Sequence, residues 1–258
     1  MAWVIDLDGV VWLGERRLPG AAEAIGRLRA AGERVLFVTN NSSASLAAQE
    51  AKLARFGIPA HGDVITSAMA GARLVEPGER AFVCGGPGVD EALLARGAEP
   101  VRSDGSGGDI GDVDVVVVGL DRDFDYERLR LAVRAVQRGA RFVATNDDAT
   151  FPTPDGPVPG GGALVAAVAY ATGVEATVAG KPHRPMADVV HALVGQDQAN
   201  GATDGTVVGD RPETDGAFAA TLGYRFALVL TGVTSAEDLP VTPTPDVVAD
   251  SLDALVPG

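Results

Sequence analysis

The feature that most constrains this chain is an alternation between short apolar runs and helical patterns. The run from Ala2 to Leu7 is apolar and partly β-branched, as in a strand that is buried on both faces. A helix is predicted after Pro19-Gly20, with Ile25 and Leu28 on one face and Gly32 beyond its end. Alternation of this kind predicts right-handed βαβ units around a parallel sheet. The predicted fold class is therefore α/β, with a Rossmann-like parallel sheet.

The same two patterns recur along the rest of the chain. A second helix is predicted from about Ser43 to Gly57, with its apolar residues on one side. Further strands are predicted at residues 34–38, 81–84, 113–118, 141–144, 206–208 and 226–230. The segment from Pro152 to Gly162 carries four prolines and four glycines, so we predict no regular element there.

Polar side chains follow three of the predicted strands. Asp6-Leu7-Asp8-Gly9 ends the first strand, Thr39-Asn40-Asn41-Ser42 ends the second, and Gly209-Asp210 ends the strand at 206–208. In an open parallel sheet, ligands bind in the crevice at the carboxyl ends of the strands. One polar strand end is weak support for a site, whereas three on separate strands predict one shared site.

Asp6 and Asp8 are two residues apart on an extended segment, so their side chains are expected on the same face. Two carboxylates in one pocket are unfavourable unless a cation or a shared proton offsets their repulsion. Asp210 adds a third carboxylate, and Mg²⁺ binds one or two carboxylates together with water and phosphate oxygens. An isolated Asp-x-Asp is more often a solvated loop, but its agreement with the other strand ends favours a magnesium site.

A basic residue is expected beside these carboxylates. Lys181 follows an apolar run in the segment Gly180-Lys181-Pro182, and Lys52 is the only other lysine in the chain. A compact ammonium can bind a phosphate oxygen and hold an aspartate, although a surface lysine is the alternative. Thr39 and the amides after it can donate hydrogen bonds to a phosphate at a helix N-terminus. The same segment alone fits a helix N-cap equally well.

In order and spacing, these motifs resemble those of the haloacid dehalogenase (HAD) superfamily. They are Asp-Leu-Asp-Gly-Val, Val-Thr-Asn-Asn-Ser, Gly-Lys-Pro and Gly-Asp-Arg-x-x-Thr-Asp. Residues 6–14, 114–123, 144–148 and 159–162 resemble its NagD-like branch (class IIA, with a C2 cap) more closely. That branch includes p-nitrophenylphosphatases, phosphoglycolate phosphatases and pyridoxal phosphatases. The resemblance covers almost the whole chain.

The resemblance implies a catalytic role for the first motif. Asp6 would be the nucleophile that receives the phosphoryl group as an aspartyl-phosphate. Asp8 would protonate the leaving oxygen and then activate the water that hydrolyses the intermediate. Mg²⁺ would be the cofactor, held by the Asp6 carboxylate, the Asp8 backbone carbonyl and Asp210.

The resemblance also implies which residues surround the substrate. The phosphoryl oxygens would be bound by Thr39, Asn40, Asn41 and Lys181. Asp215 would orient Lys181 or the waters on the metal. The loop from Thr145 to Thr153 resembles the cap loop that enters the active site in the family. Its candidate specificity residues are Asn146, Asp147 and Phe151, although Phe151 fits the core of the cap equally well.

A mixed α/β cap inserted into the core is the domain organisation that the resemblance implies. The core would consist of residues 1–74 and 178–258, and the cap of residues 75–177. A large cap favours small substrates, because a lid excludes polymers and bulk water.

The predicted function is a Mg²⁺-dependent phosphatase for small phosphomonoesters, such as 2-phosphoglycolate, a sugar phosphate, a nucleotide or p-nitrophenyl phosphate. A phosphomutase or phosphotransferase would use the same intermediate, and a non-catalytic phosphate-binding module is a third interpretation. Aspartate at position 8 favours a phosphatase or a mutase, since both must protonate an oxygen leaving group. The presence of every motif residue disfavours the binding module.

Composition limits the partners and the location. Acidic residues number 35 against 21 basic ones, so the surface repels DNA and no nucleic-acid partner is expected. A single cysteine, with no visible signal peptide or membrane span, predicts a cytoplasmic chain without membrane contact. The expected partner is a small phosphorylated metabolite, and the resemblance suggests a homodimer through the cap.

The acidic, lysine-poor surface favours a halophilic source; high-GC codon bias with ordinary acidity is the alternative.

Overall fold

The chain forms two compact units in its computed structural model, which describes residues 1–103, 105, 108–153, 156–197 and 204–256. The first unit, here called the core unit, contains residues 1–39, 47–65 and 181–258. The second, here called the inserted unit, contains residues 40–46 and 66–180. The predicted division at 74/75 and 177/178 stays a prediction, and the contacts group residues 66–74 and 178–180 with the inserted unit.

Strands and helices alternate along most of the chain. The strands are β1 (Ala2–Asp6), β2 (Trp12–Leu13), β3 (Arg16–Arg17), β4 (Arg34–Thr39), β5 (Val64–Thr66), β6 (Arg80–Cys84), β7 (Glu99–Val101), β8 (Val115–Val118), β9 (Arg141–Ala144), β10 (Thr150–Thr153), β11 (Gly156–Pro159), β12 (Thr177–Val178), β13 (Gly205–Gly209), β14 (Arg225–Val229) and β15 (Val247–Ala249). The α-helices are α1 (Ala21–Ala30), α2 (Leu46–Arg55), α3 (Ser67–Ala72), α4 (Pro87–Arg96), α5 (Tyr126–Gln137), α6 (Gly161–Thr172), α7 (Arg184–Asp197), α8 (Ala217–Leu222) and α9 (Leu252–Leu255). In the described ranges, no helix combines the length and the apolar character needed to cross a bilayer.

The core unit is built on a six-stranded sheet in the order β15-β14-β13-β1-β4-β5. β1 pairs in parallel with β13 on one side and with β4 on the other, so the chain winds in opposite directions from the centre. This is the strand order of a doubly wound nucleotide-binding fold, whose ligand crevice lies where the winding reverses. The predicted Rossmann-like parallel sheet is confirmed, and its crevice falls between β1 and β13.

The inserted unit has its own five-stranded parallel sheet, in the order β12-β9-β8-β6-β7. The four valines of β8 are all buried, because helices cover both faces of this sheet. Val116 packs in one apolar cluster with Leu131 of α5, and Val117 packs in another with Leu93 of α4. An uninterrupted valine run is the pattern expected of such a strand, since successive side chains point to opposite faces.

Two local predictions are wrong. The segment at 152–162 contains most of a β-hairpin, in which β10 and β11 pair antiparallel with Phe151 opposite Val158. A two-stranded hairpin tolerates prolines because each strand is an edge with half of its N–H groups unpaired. Helix α2 begins at Leu46 rather than near Ser43, since Asn41 Oδ1 accepts hydrogen bonds from the backbone N and the Oγ of Ser43 in the preceding turn.

The single cysteine provides a test of this packing. Cys84 ends β6, is fully buried, and packs with Phe82 and Val116. Burial raises the pKa of the Cys84 thiol to about 12, so almost no thiolate forms at pH 8. We expect a disulfide-exchange reagent such as DTNB to leave the native protein unlabelled and to label one thiol per chain after unfolding in guanidinium chloride. Rapid labelling without denaturant would contradict the burial of Cys84.

Candidate active site

The carboxyl ends of the central strands of the core unit carry the predicted site. Asp6 is the last residue of β1, and Asp210 directly follows the adjacent strand β13. Asp6 pairs with Val38 of β4, so the buried Thr39 is the next residue along that neighbouring strand. The two strands that border the crevice, β1 and β13, therefore each have a carboxylate at their carboxyl end.

A buried ammonium lies between two of the carboxylates. Lys181 Nζ donates to Asp6 Oδ1 and to Asp215 Oδ1, both at 2.6 Å. The Lys181 side chain is 4% exposed and the Asp215 side chain is 1% exposed, so water screens neither charge. Charge-assisted hydrogen bonds of this length are strong, because donor and acceptor are both ionised.

The pKa values in this cluster reflect burial and charge together. Burial alone would lower the pKa of Lys181, but the carboxylates of Asp215 and Asp6 outweigh it and raise that pKa above its ordinary value. Burial raises the pKa of Asp6 well above its ordinary value, and Lys181 opposes that rise. Repulsion from Asp215, Asp210 and Asp8 adds to the effect of burial on Asp6. The cluster thus holds more negative charge than its single lysine neutralises.

The Asp210 carboxylate is closely surrounded by backbone atoms. Its Oδ2 accepts a 2.6 Å hydrogen bond from the backbone N of Val233, whereas its buried Oδ1 has no hydrogen-bond partner among the described residues. Burial raises the pKa of Asp210 to about 7, with a further contribution from the charge of Asp215. Gly9 has a φ of +88°, and a Cβ there would collide with the Asp210 carboxylate. Only glycine fits this close approach.

Asp215 uses both of its carboxylate oxygens inside the core unit. It lies in a π-helical turn, Pro212–Gly216, which returns the chain toward β13. Asp215 Oδ2 accepts a 3.1 Å hydrogen bond from the backbone N of Arg211, and Oδ1 accepts from Lys181. Its position beside Lys181 agrees with the supporting role that the sequence predicts, and that role stays a prediction.

The cluster fits a divalent metal ion. Asp6, Asp210 and Asp215 each offer a carboxylate oxygen, and these oxygens lie within 4.8 Å of one another. The buried, unpartnered Oδ1 of Asp210 costs free energy unless something pairs with it, and a cation would do so. Because both oxygens of Asp215 already have partners, Asp6 and Asp210 are the better ligands. Carboxylate oxygens are the ligands of a hard cation such as Mg²⁺.

Asp8 is half-buried in the turn after β1 and has a contact that the sequence analysis missed. The indole Nε1 of Trp12 donates to Asp8 Oδ1 at 2.9 Å. Burial raises the pKa of Asp8, while the hydrogen bond from Trp12 and the charge of Lys52 oppose that rise. Trp12 stands within the first motif, but the pairing depends on a turn that residue spacing does not reveal.

Two of the predicted phosphate-binding residues belong to the inserted unit. There Asn40 Nδ2 donates to Asp148 Oδ2 at 3.0 Å, and the Asn40 carbonyl oxygen accepts from Asn146 Nδ2 at 2.8 Å. Asn41 accepts from Ser43 in the turn before α2. Asp148 is a further residue that the sequence analysis did not single out, although it lies in the quoted segment 144–148.

The three candidate specificity residues differ in burial. Asn146 is buried, and its Oδ1 accepts from the backbone N of Asp148 at 3.2 Å. Asp147 is exposed, and Phe151 is half-buried in β10. Asn146 is thus tied into the inserted unit through both ends of its amide, while Asp147 presents its side chain to solvent.

Comparisons with known proteins match this architecture. Two family models match the chain: "Haloacid dehalogenase-like hydrolase" over residues 3–99 and a HAD-hydrolase-like model over residues 178–255. An acid sugar phosphatase from Staphylococcus saprophyticus is 36% identical, over 92% of this chain and 89% of that protein. A crystal structure of glycerol phosphate phosphatase from Mycobacterium tuberculosis in complex with magnesium has 36% sequence identity and a TM-score of 0.85, covering 99% of this chain and 76% of that one.

A solved p-nitrophenyl phosphatase from Archaeoglobus fulgidus has a TM-score of 0.89 and 33% sequence identity, covering 99% of this chain and 97% of that one. The chain belongs to the haloacid dehalogenase-like hydrolases. Within that family, its relatives place it in the NagD-like branch of phosphatases, and it is a hydrolase of that class.

The ammonium of Lys181 can be tested by substitution. In Lys181→Met, Asp6 and Asp215 lose their cation while still buried, and we expect the free energy of unfolding at pH 7 to fall by about 3–5 kcal/mol. Arg184→Met is the control, because Arg184 pairs with Asp188 at the surface, where the two side chains are 80% and 50% exposed, and such pairs contribute about 1 kcal/mol or less. Guanidinium chloride unfolding measures both values. Equal losses in the two variants would contradict the stabilising role of the buried cluster.

Proposed function

We propose that the protein is a Mg²⁺-dependent phosphatase for small phosphomonoesters that works through an aspartyl-phosphate on Asp6. The observation that carries the proposal is the contact of Asp6 with Lys181, next to the unpartnered carboxylate oxygen of Asp210. The cluster combines an anionic nucleophile, a fixed cation and a metal-binding oxygen at the crevice of the sheet. Phosphoryl transfer needs mainly positioning and charge stabilisation, and this set of groups can supply both.

Asp6 is the nucleophile in this proposal. Because Lys181 binds Oδ1, the ammonium fixes the rotation of the carboxylate and favours its charged form. The free oxygen attacks phosphorus, the bond from phosphorus to the leaving oxygen breaks, and an acyl phosphate forms on Asp6. The Lys181 ammonium also stabilises negative charge on the transferring oxygens. Asp215 holds the other side of that ammonium and limits its movement.

A bound Mg²⁺ would neutralise charge between the anionic nucleophile and the anionic substrate. The Asp6 and Asp210 carboxylates and the Asp8 backbone carbonyl are the groups that would hold it. Val233 fixes Asp210 Oδ2, which leaves Oδ1 as the ligand atom. Burial and the charge of Asp215 raise the pKa of Asp210, and the cations of Arg211 and Lys181 oppose that rise without cancelling it.

Asp8 is the general acid and base in this proposal. It protonates the leaving oxygen in the first half of the reaction and takes a proton from the attacking water in the second half. The similarity to an acid sugar phosphatase and to a glycerol phosphate phosphatase supports small sugar or polyol phosphates as the substrate class. We infer that the inserted unit is the cap that restricts the enzyme to such small phosphorylated metabolites.

Metal binding can be tested without turnover. Mg²⁺ at about 100 times its Kd would stabilise the native protein by about 2.7 kcal/mol, raising its Tm. Asp210→Asn is expected to lose this rise, whereas Asp188→Asn, a surface control on α7, is expected to keep it. A Mg²⁺-dependent rise in the Tm of Asp210→Asn equal to that of wild type would exclude Asp210 as a ligand.

The pKa of Asp210 is about 7 in the fold and lower in the unfolded chain. The contribution of the protonated Asp210 carboxyl to the free energy of unfolding is therefore lost as the pH rises through 7.

The nucleophile can be tested with p-nitrophenyl phosphate. We expect wild type to release phosphate in the presence of Mg²⁺, activity to be lost after chelation, and Asp6→Asn to fall by at least about 10³-fold, because an amide cannot form the intermediate. Acid quenching with labelled substrate is expected to trap a hydroxylamine-sensitive phosphoenzyme only where Asp6 is intact. The assay is run at low salt and in molar KCl, since the acidic surface favours a salt-rich source.

Asp188→Asn serves again as the matched aspartate-to-asparagine control and is expected to keep wild-type turnover. Wild-type rates in Asp6→Asn would overturn the nucleophile assignment. If wild type moves phosphate between two sugars without releasing it, the enzyme is a phosphotransferase instead. Turnover that persists after complete metal removal would overturn the role of Mg²⁺.

A further inference from the structure

A tryptophan in the first motif contacts Asp8. The Trp12 side chain is 1% exposed, and its only polar side-chain atom, Nε1, donates to Asp8 Oδ1 at 2.9 Å. Among the described residues, no group donates a hydrogen bond to the other oxygen of Asp8. The two carboxylate oxygens of Asp8 are therefore not equivalent in the folded protein.

The backbone fixes the indole relative to Asp8. Trp12 N donates to the Leu7 carbonyl oxygen at 3.1 Å, and Gly9 N donates to the Trp12 carbonyl oxygen at 2.7 Å. The residues before and after Asp8 are thus both hydrogen-bonded to Trp12. The indole cannot shift against Asp8 without breaking these bonds, so the turn holds donor and carboxylate at a set separation.

Residues from α2 and the turn after it hold the indole ring. Lys52 Nζ lies 4.4 Å from the centroid of the Trp12 ring, and the Phe56 ring centroid lies 5.9 Å away. Lys52 is held in place by a 2.6 Å hydrogen bond to the Gly14 carbonyl oxygen and an ion pair with Glu15. A cation over an indole face draws electron density toward it, which strengthens the N–H as a donor.

We propose that Trp12 is a positioning residue that sets the rotation of Asp8 and confines its transferable proton to Oδ2. An oxygen that accepts the indole N–H cannot direct a proton of its own at the same donor. Oδ1 is therefore the fixed acceptor, and Oδ2 is the oxygen left to carry and release the proton. This inference rests on the proposed function, in which Asp8 is the general acid and base.

The reaction steps balance with this assignment. As Asp6 attacks phosphorus, the bond to the leaving oxygen breaks, its electron pair stays on that oxygen, and the oxygen takes the proton from Asp8 Oδ2. The resulting Asp8 carboxylate keeps its hydrogen bond from Trp12 Nε1. In the second half, water attacks the aspartyl-phosphate and gives its proton to Asp8 Oδ2. The bond from phosphorus to Asp6 then breaks, which releases phosphate and restores both side chains.

The leaving group gives a readout that a purely structural role would not change. p-Nitrophenolate departs as a stable anion and needs little help from an acid, whereas the alkoxide of glycerol phosphate needs a proton as the bond breaks. The value of kcat/KM reports the steps up to departure of the leaving group. A misplaced Asp8 proton should therefore lower kcat/KM for the alkyl phosphate far more than for the nitrophenyl ester.

The test compares these two substrates with Trp12→Phe, which keeps an aromatic ring but lacks the N–H. We expect kcat/KM for glycerol phosphate to fall by about 10- to 100-fold and that for p-nitrophenyl phosphate by less than about 3-fold. Trp3→Phe is the matched control, because the Trp3 indole N–H is buried and has no hydrogen-bond partner among the residues that the structure describes. In this control, the ratio of kcat/KM for glycerol phosphate to kcat/KM for p-nitrophenyl phosphate should stay at the wild-type value. Both rates come from one sample, so a partly unfolded fraction cancels in the ratio.

An isosteric replacement covers the case in which Trp12→Phe does not fold. In the Trp3→Phe background, the remaining tryptophan is replaced by benzothienylalanine, which puts sulfur in place of the N–H and preserves ring packing. The same change in ratio is expected. An unchanged ratio in the folded variants, or equal losses on both substrates, would overturn the positioning role of Trp12.

Asp8→Asn separates this inference from the proposed function. If Asp8 is the acid, Asp8→Asn changes the ratio of kcat/KM for the two substrates at least as much as Trp12→Phe does. The double variant then shows the same ratio as Asp8→Asn alone. If Asp8→Asn leaves the ratio unchanged, the acid role fails and the role of Trp12 falls with it. If Asp8→Asn changes the ratio and Trp12→Phe does not, the proposed function stands and only the positioning role is refuted.

Discussion

The buried ammonium of Lys181 between Asp6 and Asp215 is the interaction on which the site in the core unit depends. Moving a charge out of water costs several kcal/mol per ion, and here two hydrogen bonds of 2.6 Å offset that cost. One ammonium cannot neutralise three neighbouring carboxylates, so the remaining negative charge adds to the effect of burial, which raises the pKa of Asp6 and Asp210. The charge imbalance that would weaken the fold is also what makes the cluster a cation site.

Steric constraints join the first and last motifs of the core unit. The Asp210 carboxylate lies so close to Gly9 and Gly232 that a Cβ at either position would collide with it. The glycine after Asp8 is therefore required by Asp210, which is about 200 residues further along the chain. The residue types at positions 9, 210 and 232 therefore depend on one another. The motifs that carry the catalytic residues also pack against each other.

Much of this site was predictable because buried parallel strands have a distinctive sequence pattern. Apolar, β-branched runs located β1, β4 and β13, and the polar residues at their ends located Asp6, Thr39 and Asp210. The contacts of Trp12 with Asp8 and of Asn40 with Asp148 were not predictable. The first depends on the geometry of a turn, and the second joins residues 108 positions apart. The hairpin of β10 and β11 was missed because its prolines lie in two edge strands, where the lack of a backbone N–H costs little free energy.

Asp6 and Asp8 are two residues apart, yet their partners differ in charge. Asp6 is bound by an ammonium, which favours the carboxylate, whereas Asp8 is bound by the neutral N–H of Trp12. A full positive charge at 2.6 Å stabilises a negative charge much more strongly than a neutral donor does. On the proposed mechanism the Lys181 ammonium, together with a bound Mg²⁺, would offset the burial that raises the pKa of Asp6, so Asp6 would attack phosphorus as a carboxylate. Asp8, whose hydrogen-bond donor is neutral, would carry the proton. Pairs of acids in one site commonly divide their work through such differences in environment.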